Sequence, residues 1–146
     1  MLSKEFNLAT LRALDLFAPL TDQELEFLRP ELGVRTASVG DVIMEAQTPG
    51  DELFILLVGE VKVIHDYRSA SEKVVATVHP IGLFGEMALL TGAPRSATVV
   101  ATDTSRFLTL RRDGLESVLH TYPSVCMSLL RHAYRIINEL NAKIRS

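Results

Sequence analysis

Apolar residues recur along the chain in three successive rhythms, helical, then strand-like, then helical again. Near the start Leu8, Leu11, Leu14 and Phe17 recur at roughly helical spacing, and Pro19 closes the segment. Thr21 with Glu24 three residues on is a capping-box pattern ahead of Leu25, Leu28 and Leu32. It predicts a helix over about 22–29, ended near Pro30 and Gly33.

From Val34 to Leu110 short runs rich in Val, Ile, Thr and Phe alternate with Gly40-Asp41, Pro49-Gly50-Asp51, Gly59-Glu60, Tyr67-Arg68-Ser69 and His79-Pro80. Turn signals falling mostly every eight to twelve residues are those of a β-sandwich or small barrel. Leu53-Phe54-Ile55-Leu56-Leu57-Val58 is apolar throughout, as a central strand covered on both faces would be. After Gly59, Val61, Val63 and Ile64 alternate imperfectly with Lys62 and His65, as on a strand with one wetter face. Lys73 to His79 and Thr98 to Leu110 supply further strands. No helical crossover separates consecutive strands, so antiparallel pairing is expected.

Toward the C-terminus Asp113 and Glu116 are expected to cap a segment carrying Leu115, Val118 and Leu119, which stops at Tyr122-Pro123. Beyond it Cys126, Leu129, Leu130, Ala133, Ile136, Ile137, Leu140 and Ile144 mark an apolar stripe opposite Arg131, Arg135, Asn138, Glu139, Asn141 and Lys143. Core packing is the first expectation for the stripe and a homodimer through it the second. Lys143 and Arg145 read as a solvated tail. The expected organisation is one mainly β domain over 1–146, with helices over 1–31, strands over 32–111 and helices over 112–146.

Composition narrows the function classes. Apolar residues at 47% and charged residues at 23% suit a globular core, and a net charge of −3 argues against broad capture of nucleic acid or anionic membrane. No apolar run reaches membrane-span length, Met1 to Phe6 lack the apolar core of a secretory signal, and a cytoplasmic location is expected. The one cysteine, Cys126, is expected to be a buried structural thiol. His65, His79, His120 and His132 fall on different elements with no ligand-pair spacing, so no metal site is expected. No nucleophile–base set suggests itself either, and neither an enzyme nor a catalytic residue is expected.

One stretch breaks the strand rhythm, Gly82-Leu83-Phe84-Gly85-Glu86-Met87-Ala88-Leu89-Leu90-Thr91-Gly92-Ala93-Pro94-Arg95-Ser96-Ala97-Thr98. Met87 to Leu90 favour a helical turn or two, which Gly92 and Pro94 keep short. The free N–H groups at such a start favour an anion, and Gly85 lets a ligand approach closely. Gly85 and Gly92 are also the residues that begin and end a helix, and for Gly92 that plain role is preferred. Arg95, where the chain re-enters a strand, can grip two phosphate oxygens at once. At about 4 Å in a partly desolvated pocket that attraction is roughly 4 kcal/mol before desolvation costs. Glu86 would be repelled by phosphate and suits a hydroxyl donor such as a ribose 2′-OH.

Phe84-Gly85-Glu86-Met87-Ala88-Leu89-Leu90 with Pro94-Arg95-Ser96-Ala97-Thr98 closely resembles the phosphate-binding cassette of cyclic nucleotide-binding domains. Gly40-Asp41, Gly50-Asp51-Glu52 and Gly59-Glu60-Val61 resemble that family's hairpin glycines, whereas Pro80-Ile81-Gly82-Leu83 departs from its Pro-Gly-Asp turn. The resemblance implies an eight-stranded antiparallel β-roll with an N-terminal helical piece, a cassette helix and two C-terminal helices. It implies that Arg95 binds the phosphate, helped by backbone N–H groups around Gly85, Met87, Ala88, Ser96 and Ala97, and that Glu86 accepts from the 2′-OH. The resemblance also places Phe84 in the expected ligand-binding set. The base is expected against Val63 or Val74, with Arg131 and Arg135 as lid candidates on the last helix. By the same resemblance, serine at position 96 implies cAMP as the preferred ligand, with cGMP as the alternative its hydroxyl could still reach. The chain is then a sensor module whose C-terminal helices shift on binding, with an effector protein or domain as its further partner. Its rival is a β-roll interaction domain that no longer responds to ligand.

Overall fold

The computed structural model describes residues 7–145, without the side chains of His132, Ile136 and Arg145. Expectations placed on residues 1–6 and on those three side chains lie outside the described residues. Two four-stranded antiparallel sheets face each other, flanked by helices at both ends of the chain. One holds β1 (Leu32–Ala37), β3 (Glu52–Val58), β6 (Gly82–Phe84) and β8 (Ser105–Arg111) in the order β1-β8-β3-β6. The other holds β2 (Val42–Met44), β4 (Val61–His65), β5 (Lys73–Val78) and β7 (Thr98–Ala101) in the order β2-β7-β4-β5. This is the eight-stranded roll expected from the sequence.

The apolar run of β3 has the double cover its composition demands. Phe54 and Leu56 point into the roll with Val61, Phe84, Val99 and Phe107. Leu53 and Ile55 point outward, under the helices, with Leu108, Leu110, Leu115 and Val118. Strand alternation thus divides one sequence between two cores. Each fully buried Leu, Ile or Phe contributes about 1.5–3 kcal/mol.

The N-terminal segment differs in detail from the expected helix. Leu8–Ala13 is a 3-10 helix, and turns carry the chain on to Leu20. The reason lies in the spacing, because residues three apart eclipse each other in a 3-10 helix. Leu8, Leu11, Leu14 and Phe17 are accordingly all buried. The next helix, α1 (Asp22–Leu28), starts from the expected capping box. Thr21 Oγ1 accepts from Glu24 N–H at 3.1 Å, and Glu24 Oε1 accepts from Thr21 N–H at 3.0 Å.

Past β8, α3 (Arg112–Thr121) and α4 (Pro123–Arg145) follow. Asp113 does not cap α3. Arg111 holds the cap position without a side-chain bond, and Asp113 accepts from Gly114 N–H. α4 touches the body of the protein along one line near its start, through buried Val125, half-buried Leu129 and Ser128. Cys126, one residue and about 100° around the helix from Val125, is therefore exposed and not the buried thiol expected. Leu130, Ile137, Leu140 and Ile144 are exposed as well, so among the described residues the C-terminal stripe beyond Leu129 does not pack into the core.

Glu24 fastens α4 to α1. Its carboxylate is buried and accepts from Ser128 Oγ at 3.1 and 3.3 Å. Burial pushes its pKa up, but hydrogen bonds from Thr21, Ser124 and Ser128 outweigh that and hold it below its ordinary value. The folded state thus favours the carboxylate, a contribution complete above the unfolded pKa near 4.5 and lost as pH falls through the folded value. Thermal melts should show Glu24→Gln less stable than wild type at pH 7, with the gap closing below about pH 4.5. A gap that stays constant down to acid pH would refute this.

Candidate functional site

β6 delivers the chain to a short helix, α2 (Glu86–Thr91), through Gly85 at φ +83°. That left-handed conformation suits glycine, and space demands it too, because a Cβ there would lie 2.8 Å from Arg95 Nη1. α2 ends at Gly92 (φ +74°), whose N–H returns to Ala88 O at 2.9 Å, the plain helix-ending role expected for it. Ala88 and Leu89 are buried, while Met87 and Leu90 face outward.

The segment after α2 carries Arg95. Its backbone is clamped to the loop between β2 and β3, Arg95 N–H donating to Thr48 O (2.9 Å) and Gln47 N–H to Arg95 O (2.8 Å). Although Arg95 is only 5% exposed, no carboxylate lies within ion-pair distance of it among the described residues. Its guanidinium donates to two neutral carbonyls, Gly85 O at 2.8 Å and Glu52 O at 2.7 Å, and lies 5.8 Å from the centre of the Phe54 ring. Burial pulls its pKa down, Glu52 and Asp51 pull it up from further off, and Arg112 pulls it down again. A buried cation without an ion pair is expensive, and it is most stable where an anion can reach it.

Beside that guanidinium opens a cavity of about 430 Å³, within the size range of small-molecule sites. One wall is the cassette, with Gly85, Glu86, Met87, Ala88, Arg95, Ser96 and Ala97. The other is apolar strand surface from Met44, Val63, Ala76, Val78, Leu83 and Val99. Glu86 is half-buried, and its carboxylate has no side-chain partner among the described residues. Phe84 also lines the cavity, but its ring stacks on Phe54 (5.1 Å, 13°) and meets Phe107 edge-on (5.8 Å, 80°), which makes it part of the core. A larger depression of about 770 Å³ is lined by Glu45, Gln47 and His65 to Arg68 and shares Ser96 with the first. It is walled mostly by exposed loop residues and holds no buried cation, so the smaller cavity is the candidate site.

Of the residues expected at the base, Val63 lines the cavity and Val74 does not. A bulge in β5 is the reason. Val63 pairs with Ala76, but its neighbour Ile64 pairs with Val74, leaving Val75 as an extra residue. Cross-strand partners share a face, so Ala76 lies on the face of Val63 and Val74 on that of Ile64. Arg131 and Arg135 are not brought to the cavity either. Both are exposed on α4 beside Leu130, Tyr134 and Ile137, and Arg131 also borders a depression next to Glu24 and Phe27.

Several participants were not predicted from the sequence, among them Val78, Leu83 and Val99 on the apolar wall. Met44 and Ala76 sit on strands too short or too irregular for their facing to be read. Gly50 presents as turn punctuation, yet a Cβ on it would lie 2.6 Å from Arg95 Cζ and 2.7 Å from Ala88 Cβ. No described helix is long and apolar enough to cross a membrane, and no group of three or more described His, Cys, Asp or Glu residues is placed to hold a metal.

Residues 34–122 match the sequence model of the cyclic nucleotide-binding domain. The N-terminal domain of a transcriptional regulator from Streptomyces coelicolor A3(2) is 32% identical and superposes with a TM-score of 0.83 over 92% of this chain and 94% of that one. The regulatory domain of Toxoplasma gondii PKA, solved with cAMP, is 28% identical with a TM-score of 0.71, covering 76% of this chain and 42% of that one. A cyclic nucleotide-gated potassium channel of Mesorhizobium japonicum is 33% identical over 124 residues, 82% of this chain and 32% of the channel. The first three curated relatives are longer proteins, of which the chain spans from 11% to 46%.

Proposed function

The chain belongs to the cyclic nucleotide-binding domain family, and from that premise we propose that it is a sensor module that binds cAMP in the cavity beside Arg95. The observation that carries the reading is the buried Arg95 guanidinium, held by neutral carbonyls at the edge of a cavity of nucleotide size. A cyclic phosphate would supply the missing negative charge. Arg95 would donate to its oxygens, joined by backbone N–H groups of the cassette. Glu86, half-buried and without a side-chain partner among the described residues, would accept from the ribose 2′-OH. The purine would lie on the apolar wall of Val63, Ala76 and Val99. Ser96, exposed at the rim, remains the residue that favours cAMP over cGMP.

Binding is read out, on this proposal, by movement of α3 and α4. Turning a mostly open population into a mostly closed one takes about 5.5 kcal/mol of differential affinity. Charge-assisted bonds at about 1.5–3 kcal/mol each, with burial of the base, are of that order. The exposed apolar residues of α4 then offer an effector, or a second copy of the chain, a surface whose position depends on ligand.

Calorimetric titration with cAMP and 2′-deoxy-cAMP tests the reading. Wild type should bind cAMP, and loss of the 2′-OH should weaken binding roughly 10- to 150-fold, the worth of one bond to a charged group. Glu86→Ala should weaken cAMP by a similar factor and leave the deoxy ligand almost unaffected. Equal affinities for the two ligands in wild type would remove Glu86 from its role. Absence of binding at millimolar cAMP would favour the ligand-unresponsive interaction domain.

A further inference from the structure

Arg112, the first residue of α3, turns its side chain inward to the cassette. Its Nη2 donates to Ala88 O at 2.8 Å and to Gly50 O at 3.1 Å, and its Nε donates to Leu89 O at 3.2 Å. Its backbone N–H donates to Asp51 O at 2.6 Å. Three segments therefore meet on one residue, the last turn of α2, the turn before β3, and the start of α3. This is more than ordinary helix capping, because Ala88 O already accepts from the Gly92 N–H that ends α2. It also costs something electrostatically, since Arg112 places a second positive charge near the buried Arg95.

Gly50 links the two arginines. Its Cα face packs against the Arg95 guanidinium and Ala88, while its carbonyl accepts from Arg112. A rearrangement of Arg95 toward a ligand changes what Gly50 rests on, and Gly50 and its neighbour Ala88 are both bonded to Arg112. We infer that Arg112 is a positioning residue that couples the nucleotide cavity to α3 and α4. The inference rests on the proposed function. A guanidinium suits the task because its fixed fork of donors can hold several carbonyls at once, whereas an ammonium is a single compact head.

Cys126, the chain's one cysteine, is exposed near the start of α4 and is a ready attachment point for an environment-sensitive fluorophore. In the full chain, wild type, Arg112→Leu and Arg112→Lys would be labelled there and titrated with cAMP, with affinity measured separately by calorimetry. Wild type should bind cAMP and change fluorescence. Arg112→Leu should still bind, within about tenfold of wild type, and lose the change, with Arg112→Lys intermediate. A purely structural role would lower the melting temperature without separating response from affinity. Folded variants that bind and respond as wild type does overturn the coupling role, and so does a folded variant that cannot bind at all. Wild-type binding without any change at Cys126 overturns it too. Should Arg112→Leu fail to fold, Arg112→Lys decides by the same criteria. Failure of wild type to bind cAMP would instead sink the proposed function, and the coupling with it.

Discussion

Replacing Arg95 by alanine is expected to weaken cAMP binding by roughly 10²- to 10⁴-fold, while the protein still folds. Two charge-assisted bonds to the phosphate, at about 1.5–3 kcal/mol each, set that range. The stability effect is smaller because its parts oppose each other. Gly85 O and Glu52 O lose their donor, at about 1–3 kcal/mol for each group left buried and unpaired. In return the fold no longer buries a cation that has no ion pair among the described residues. Calorimetry and a thermal melt on the same sample separate the two effects. Arg95→Lys should fall between wild type and alanine, since an ammonium cannot span the carbonyls that the guanidinium bridges. If Arg95→Ala bound cAMP as wild type does, the phosphate site would have to lie elsewhere.

Gly50→Ala is the second large effect expected, and it acts through sterics. The added methyl would press on Arg95 Cζ and on Ala88 Cβ at 2.6 and 2.7 Å. Neither neighbour yields easily, because the guanidinium is bonded at both ends and Ala88 belongs to α2. Overpacking of this kind costs about 1–3 kcal/mol, and affinity should fall about tenfold as Arg95 is displaced. Gly40→Ala is the control. Gly40 sits at φ +91° with nothing within 4 Å of its would-be Cβ, so alanine there should cost about 1–2 kcal/mol of backbone strain and leave affinity unchanged. Equal affinity in the Gly50 and Gly40 variants would show that Gly50 does not set the position of Arg95.

What the sequence revealed follows from the kind of constraint at each residue. Constraints local in the chain were legible. Thr21 and Glu24 cap each other three residues apart, and the apolar run from Leu53 reads directly as a strand between two cores. The cassette was legible because Gly85, Glu86 and Arg95 lie within one short segment. Constraints between distant segments were not. The bulge at Val75 turns Val74 away from Val63, and no pattern within β5 announces it. Gly50 and Arg112 matter through contacts with residues 38 and 23 positions or more away, which spacing cannot reveal. The stripe on α4 was legible as amphipathic, but amphipathicity does not say whether the apolar side meets its own core. Among the described residues of α4, Val125 and Leu129 do so, which is also why Cys126 is exposed.

A crystal structure of the full chain grown with excess cAMP tests the central claim most directly. The account predicts the cyclic phosphate within hydrogen-bond distance of the Arg95 guanidinium, the ribose 2′-OH on Glu86, and the base against Val63 and Ala76. Nucleotide found instead in the larger depression beside His65 and Arg68, with Arg95 still bonded only to Gly85 and Glu52, would contradict it.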